Sequence, residues 1–445
     1  MQRPGLPTLP ALPRLLPLLC AFALLTLPFW QPPAASAAGS GAPPAALPAA
    51  PPSAGTVALQ AQLGREMHIA GSRSGAYVYD LSAHTPLFAA NATHAAPPAS
   101  VEKLYTSTTA LLLLGPEAHL STTVLGAGQL DAEGTWQGNL YLRGGGDPTF
   151  GSSAFIRSLY GGQGASVSTL AQQLAARGIK RVEGSIIGDE SFLDSLRGGP
   201  TTGYAQDPEV EGTLSGLAFN RGAVGHQHGA HAPAAYAAQQ LQSALHALHI
   251  PVSEGFSAGP IPVSGTQQLA VVQSPPLATL LGLMDRSSDN FLAETLVKDL
   301  GAYFGGAGTT AAGAKVVRAT MAQRLGIRPT VLDGSGLSHS DRTTPLAVAS
   351  LLVALSGTQI GAILQADLAV AGRSGTLVRR MRGTTASGRC QAKTGTLNGV
   401  SNLAGWCESL SGHTLAFCFL IDGDSELTAH RLQDTMAIAL ARYAP

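Results

Sequence analysis

Ser100 and Lys103 stand three residues apart in PPASVEK (residues 97–103). A serine hydroxyl is a poor nucleophile until a base sits within hydrogen-bond reach. Residues three apart share one helical face, and a helix N-terminus adds N–H groups that favour developing negative charge. A lysine serves as the base only when burial or a second cation lowers its ordinary pKa of about 10.4. Alone the pair is a weak signal, since a solvated lysine one turn past a serine looks the same. Two further stretches change its meaning: Ser288-Asp289-Asn290 and Lys393-Thr394-Gly395. The chain has only five lysines against 22 arginines, and two of the five, Lys103 and Lys393, fall inside the three stretches.

The elements that must position these groups are legible in part. Residues 100–114 read as a buried helix, apolar on most faces and stopped by Gly115-Pro116. Ser288-Asp289-Asn290 immediately precedes a second helix, FLAETLVKDL, expected to end at Gly301. Residues 345–355 read as a third helix. Leu432, Met436, Leu440 and Tyr443 recur at helical spacing in a closing one. GAYVYDL, then SAHTP, then LFAA read as a first hairpin. Lys393-Thr394-Gly395 lies on a strand entering the Asn398-Gly399 turn, a strong two-residue hairpin signal. From about residue 121 to 265 the texture changes to short strands, glycines and small helices, such as GNLYLRGGG and VEGSIIGD. That stretch reads as one or two inserted domains between residues 57–120 and 266–445.

The 445 residues carry zero formal net charge and are 45% hydrophobic, enough for a substantial core and more than one domain. Charge balance gives no support for a nucleic-acid partner. Arg3 and Arg14, the apolar run at residues 15–30 and the small residues Ala34, Ala35, Ser36 and Ala37 read as a cleaved export signal over residues 1–37. The bulky Leu19 before Cys20 argues against a lipoprotein. Residues 38–56, rich in Pro, Ala and Gly, read as a disordered tether. The mature chain is therefore expected outside the cytoplasm, in the periplasm or its equivalent, with no membrane-spanning segment. Export permits a disulfide. A simple ladder about Asn398-Gly399 opposes Cys390 and Cys407, whereas a turn at Gly412-His413 would oppose Cys407 and Cys418. The first pairing is preferred for its better turn residues.

The three stretches together resemble the SxxK, SDN and KTG set of serine β-lactamases and penicillin-binding proteins. In particular the chain looks like the D-alanyl-D-alanine carboxypeptidase/endopeptidase branch, the class C low-molecular-mass penicillin-binding proteins with large insertions between the first two motifs. Matches in order include GGGDPTF (residues 144–150), SGLAFNRG (215–222), LDGSGLS (332–338) and GTL within AGRSGTLVRRM (371–381). The resemblance implies an α/β fold, an antiparallel sheet flanked by helices, assembled from both sides of the insertion. It implies peptidoglycan stem peptides ending in D-Ala-D-Ala as substrates, acylation by β-lactams, and no cofactor or metal. Ser100 would attack the peptide carbonyl and Lys103, its pKa lowered partly by Lys393, would take the proton. Ser288 would relay a proton to the leaving nitrogen, and Asn290 would hold the substrate amide. Lys393 and Thr394, in the Lys393-Thr394-Gly395 stretch, would meet the terminal carboxylate. The N–H groups of Ser100 and Thr396 would form the oxyanion hole. A β-lactamase on the same fold is the rival reading; the Glu-x-x-x-Asn of class A enzymes is absent between the first two motifs. A non-enzymatic cell-wall binding protein is the other rival, although its motifs would be expected to decay.

Asp147, after three glycines, reads either as a turn residue or, by the resemblance, as a partner for an amine on the stem peptide. His226, His228 and His231 have spacing a metal could use, but with no neighbouring Cys or carboxylate they read as a solvated loop. The LDGSGLS stretch reads as a structural turn near the site. There the family often continues with an arginine, and this chain has His339, with Arg342 further on, which leaves the preferred stem peptide open.

Overall fold

The computed structural model describes residues 52–224, 227, 228 and 232–445. The export signal, most of the tether and His226 and His231, with the side chain of His228, lie outside the described residues. The expected tether ended at residue 56, but a helix runs over Ala54–Ala70, with the Ser53 hydroxyl accepting from the Thr56 N–H as its cap. Leu59, Leu63, Met67 and Ala70 form its buried stripe.

A six-stranded antiparallel sheet is the frame of the molecule. Its order is Ala369–Val370, Cys390–Leu397, Val400–Glu408, Thr414–Asp422, Gly75–Asp80, Thr85–Ala90. The first hairpin therefore pairs with the last strand, Gly75 opposite Leu420. Strand Thr414–Asp422 is buried on both faces, and its alternation separates two cores. Leu415, Phe417, Phe419 and Ile421 pack with Leu63, Met67, Met436 and Leu440, from helices Ala54–Ala70 and Glu426–Arg442. Ala416, Cys418 and Leu420 face the opposite core. That core holds Leu104, Met284, Leu292, Val317 and Leu352 of helices Lys103–Leu113, Leu277–Ser287, Asn290–Phe304, Thr310–Leu325 and Pro345–Leu355.

A second, mixed sheet runs Gln267–Gln273, Ser121–Leu130, Thr135–Arg143, Ile186–Asp189, Phe256–Ala258. It is antiparallel at its first two pairings and parallel at the last two. Its own core joins Trp136, Leu140 and Leu142 to Leu170 and Leu241 of helices Val167–Ala176 and Pro233–Ala247. Strand Gln267–Gln273 carries this sheet past the boundary expected at residue 265, because it pairs with Ser121–Leu130. Tyr160, Val210, Leu214 and Ala218, from the same stretch of chain, pack instead into the core of the first sheet.

Helix Asn290–Phe304 continues through Gly301, where a stop was expected. A Cβ at Gly301 would lie 2.6 Å from the Ala307 carbonyl oxygen and 2.8 Å from the Gly313 nitrogen. The glycine is a point of close backbone approach.

Candidate active site

Ser100 lies in a single 3₁₀ turn, Ala99–Glu102, leading directly into helix Lys103–Leu113. Ala99, just before it, has φ 47° and is fully buried. A left-handed alanine costs about 1–3 kcal/mol and persists only where its surroundings enforce it. Here Asn402, from the middle of the sheet, donates from Nδ2 to the Pro97 and Pro98 carbonyls at 2.9 and 2.7 Å. Gly336 crowds the other side: a Cβ there would lie 2.0 Å from the Ala99 oxygen.

Lys103 is wholly buried, and its Nζ donates to Ser100 Oγ (2.9 Å), Asn290 Oδ1 (2.7 Å) and the Ser335 carbonyl (2.8 Å). Three acceptors match the three protons of an ammonium. Once one proton is lost, Ser100 is the only one of the three partners that can donate back. Burial lowers the Lys103 pKa, opposed by the carboxylates of Glu102, Glu294, Asp285 and Asp333. Lys393 is lowered much further, by burial first and Lys103 second, with Asp285 opposing. Burial, rather than the Lys393 charge expected from the sequence, is the cause that lowers Lys103.

Ser288-Asp289-Asn290 is the link between two helices. Ser288, at φ 65°, caps Leu277–Ser287, and Asp289 Oδ1 accepts the Leu292 N–H to start Asn290–Phe304. Lys393 Nζ donates to Ser288 Oγ at 2.8 Å and to the Thr394 carbonyl at 2.9 Å. Asn290 Nδ2 donates to the Glu209 carbonyl at 2.8 Å. Thr394 Oγ1 donates to Thr376 Oγ1 at 2.8 Å, so the GTL segment backs the strand. Gly395 allows that strand to lie against the serine turn: its Cβ would fall 2.8 Å from the Pro98 oxygen and 3.0 Å from the Ser100 nitrogen. Leu397 and Val400 close the two-residue hairpin. One residue back, the Thr396 N–H points to the open edge of the strand, beyond the short pairing of Ala369–Val370 with Ala392 and Gln391.

LDGSGLS forms the remaining wall, held by carboxylates that motif reading missed. Glu294 Oε1 accepts the Gly334 and Ser335 N–H groups at 3.0 and 2.9 Å. Asp333 accepts from Gly336 and Ser338, both at 2.7 Å. Burial raises Glu294 to about 7 and Asp341 to about 9. Glu294 was visible one turn after Asn290, on the same helix face, but nothing local pointed it at a loop 40 residues on. Arg342 Nη1 turns back onto the His339 carbonyl.

Asp147 is 4% exposed; its Oδ1 accepts from the Thr149 N–H (2.8 Å) and hydroxyl (2.7 Å), an Asx turn. Its Oδ2 has no hydrogen-bond partner, and burial raises the carboxyl to about 6. Asp299 stands beside it, itself raised well above the ordinary range by burial and then by Asp147. Cys390 is opposite Cys407 in register, and the two form a disulfide; Cys418 faces Ala404 and is a buried free thiol.

Ser100, Lys103, Ser288, Asn290, Lys393 and Thr394 thus converge from three distant parts of the chain into two neighbouring hydrogen-bonded groups, one centred on the Lys103 ammonium and one on that of Lys393. The profile of the D-Ala-D-Ala carboxypeptidase 3 (S13) family matches residues 57–210 and 208–443. The chain belongs to that family. It is 28% identical to a D-alanyl-D-alanine carboxypeptidase of Actinomadura sp. (strain R39), across 84% of this chain and 82% of that one. Carboxypeptidase DacB of Mycolicibacterium smegmatis is 30% identical, across 84% of this chain and 79% of its own length. Among solved structures, penicillin-binding protein 4 of Haemophilus influenzae superposes with a TM-score of 0.72 at 22% identity, across 86% of this chain and 99% of that one. A predatory endopeptidase of Bdellovibrio bacteriovorus superposes at 0.54 and 20% identity, across 84% and 92% of the two chains. The S13 chain is a serine-type D-Ala-D-Ala carboxypeptidase with the penicillin-binding-protein fold. No single helix among its described residues is long and apolar enough to cross a membrane.

Proposed function

We propose that Ser100 is the acylated nucleophile and Lys103 its base, acting on stem peptides that end in D-Ala-D-Ala. The observation that carries this reading is the Lys103 Nζ held between Ser100 Oγ, Asn290 Oδ1 and the Ser335 carbonyl. With Lys103 as the free amine, Ser100 Oγ adds to the penultimate carbonyl carbon while its proton passes to Nζ. The oxyanion receives the N–H groups of Ser100 and Thr396. The C–N bond then breaks, and the leaving nitrogen takes the Ser288 proton, which Lys393 replaces across the 2.8 Å contact. The substrate's terminal carboxylate, met by Lys393 and Thr394, raises the depressed Lys393 pKa so that it holds that proton. Water then attacks the ester. One of its protons returns to Lys393 through Ser288, and Ser100 recovers its own from Lys103.

The same steps cleave a cross-link when the leaving amine belongs to a neighbouring stem peptide, and we read the enzyme as competent for both. Such substrates place it outside the cytoplasm, in keeping with the export signal read at residues 1–37. Residues 121–273 form an inserted lobe on the transpeptidase-like frame. Asp147, buried and committed to its Asx turn, is read as a structural residue.

Labelled penicillin tests the assignment. Wild type forms a covalent adduct and releases D-alanine from D-Ala-D-Ala peptides; Ser100→Ala does neither, and an adduct on Ser100→Ala refutes the nucleophile. Loss of the penicilloyl group over minutes to hours fits the peptidase, whereas loss in milliseconds fits the β-lactamase reading.

A further inference from the structure

The inserted lobe reaches the catalytic network at a second residue besides Glu209. Arg221, in SGLAFNRG, is 3% exposed. Its Nη2 donates to Asp289 Oδ2, and its Nε donates to the Tyr160 hydroxyl at 2.7 Å. That hydroxyl donates in turn to the Pro148 carbonyl at 3.0 Å. The guanidinium packs over two rings, its Cζ 5.3 Å from the Tyr160 centroid and 5.1 Å from that of Phe291. A buried charge, separate hydrogen bonds to a carboxylate and a phenol, and two aromatic rings together suit a guanidinium and no other side chain.

The backbone around it is built for this placement. Asn220 and Arg221 both have left-handed φ, 50° and 57°. The Arg221 carbonyl accepts the Thr213 N–H at 2.9 Å, and a Cβ at Gly222 would come within 2.7 Å of Thr213 Cβ. Two consecutive left-handed non-glycine residues cost energy that an ordinary surface loop has no reason to hold.

Asp289 sits between Ser288 and Asn290. One of its oxygens starts helix Asn290–Phe304 and the other is held by Arg221. The direction of the Ser288 hydroxyl toward Lys393, and of Asn290 Oδ1 toward Lys103, therefore depends on a carboxylate clamped from the inserted lobe. We propose that Arg221 is a positioning residue for acylation: through Asp289 it sets the Ser288-Asp289-Asn290 turn, making the inserted lobe a required wall of the active site. The proposal rests on Ser288 and Asn290 acting as assigned above.

The test measures the acylation rate constant with labelled penicillin, together with the non-covalent binding constant and the burst amplitude that counts active sites. Arg221→Met keeps an unbranched apolar stem at the site and removes the charge. We expect it to slow acylation per active site by about tenfold to a hundredfold, the scale of an ångström's misplacement, with non-covalent binding changed less than threefold. A purely structural role would lower burst amplitude and leave the rate per active site unchanged, which overturns the proposal. Should Arg221→Met fail to fold, Tyr160→Phe removes only the hydroxyl that anchors Nε, and a smaller loss in the same rate constant is expected; an unchanged rate refutes the clamp. In Arg221→Met/Asp289→Asn the two losses should not multiply, because both act through one bond; multiplying losses also refute it. Ser288→Ala is the separate control. If it acylates at the wild-type rate, the assignment of Ser288 fails, whatever Arg221 does.

Discussion

Replacing Asp147 with asparagine separates a structural carboxylate from one that recognises substrate. Burial raises the Asp147 pKa from an ordinary 3.8 to about 6. A raised carboxyl pKa means that the folded state holds the proton more tightly than the unfolded chain. Its stabilising contribution is complete below about pH 3.8 and is lost as pH rises through about 6. At 1.36 kcal/mol per unit, the fully ionised carboxylate destabilises the fold by about 3 kcal/mol at pH 8. Asparagine cannot ionise. Its Oδ1 still accepts from Thr149, and its Nδ2 replaces the unpartnered oxygen beside Asp299. Asp147→Asn should therefore be more stable than wild type at pH 8, by an amount about 2 kcal/mol larger than at pH 4. Urea unfolding midpoints at the two pH values, with m checked for constancy, give the difference. In parallel, D-alanine release is compared for stem peptides with and without a side-chain amine, and Asp147→Asn should treat the two as wild type does. A pH-independent stability difference refutes the buried, ionising carboxylate. A selective loss on the amine-bearing peptide refutes the structural reading and restores substrate recognition.

Asp285→Asn removes a negative charge that supports the ammonium forms of both Lys103 and Lys393. The free amine of Lys103 is then reached at lower pH, so the acid limb of the kcat/KM profile should move down; an upward or absent shift contradicts the assignment of Lys103 as base. Gly395→Ala drives a Cβ against the Pro98 oxygen and the Ser100 nitrogen, and acylation should fall by roughly a hundredfold; a rate within threefold of wild type would show that the strand need not approach so closely. Replacing Cys390 and Cys407 together with alanine opens a link spanning 17 residues. The chain-entropy treatment puts the loss at about 3 kcal/mol, to be read from denaturant midpoints under non-reducing conditions.

Local chemistry made several elements legible from residues alone. Gly115-Pro116, Pro345 and the recurrence of Leu432, Met436 and Leu440 mark helices because capping and apolar period act within a few residues. Helix Thr310–Leu325 escaped notice because five of its residues are alanine and one is glycine, so it shows little contrast between faces. Gly301 misled for a related reason: in sequence a glycine signals a helix stop, and only the neighbouring backbone shows that it is a point of contact.

What the sequence by itself determined is what spacing controls: Ser100 one turn before Lys103, Asp289 capping the helix that follows it, and a two-residue turn that carries Cys390 opposite Cys407. Tertiary structure alone decided how these meet. Lys103 and Asn290 are 187 residues apart, Lys393 and Ser288 are 105 apart, and Asn402 reaches 304 residues back to Pro98. The depression of both lysines, the carboxylates behind Ser335 and the grip of Arg221 on Asp289 likewise arise only in the assembled core. Burial and long-range Coulomb interactions depend on distance through space, which spacing along the chain does not encode.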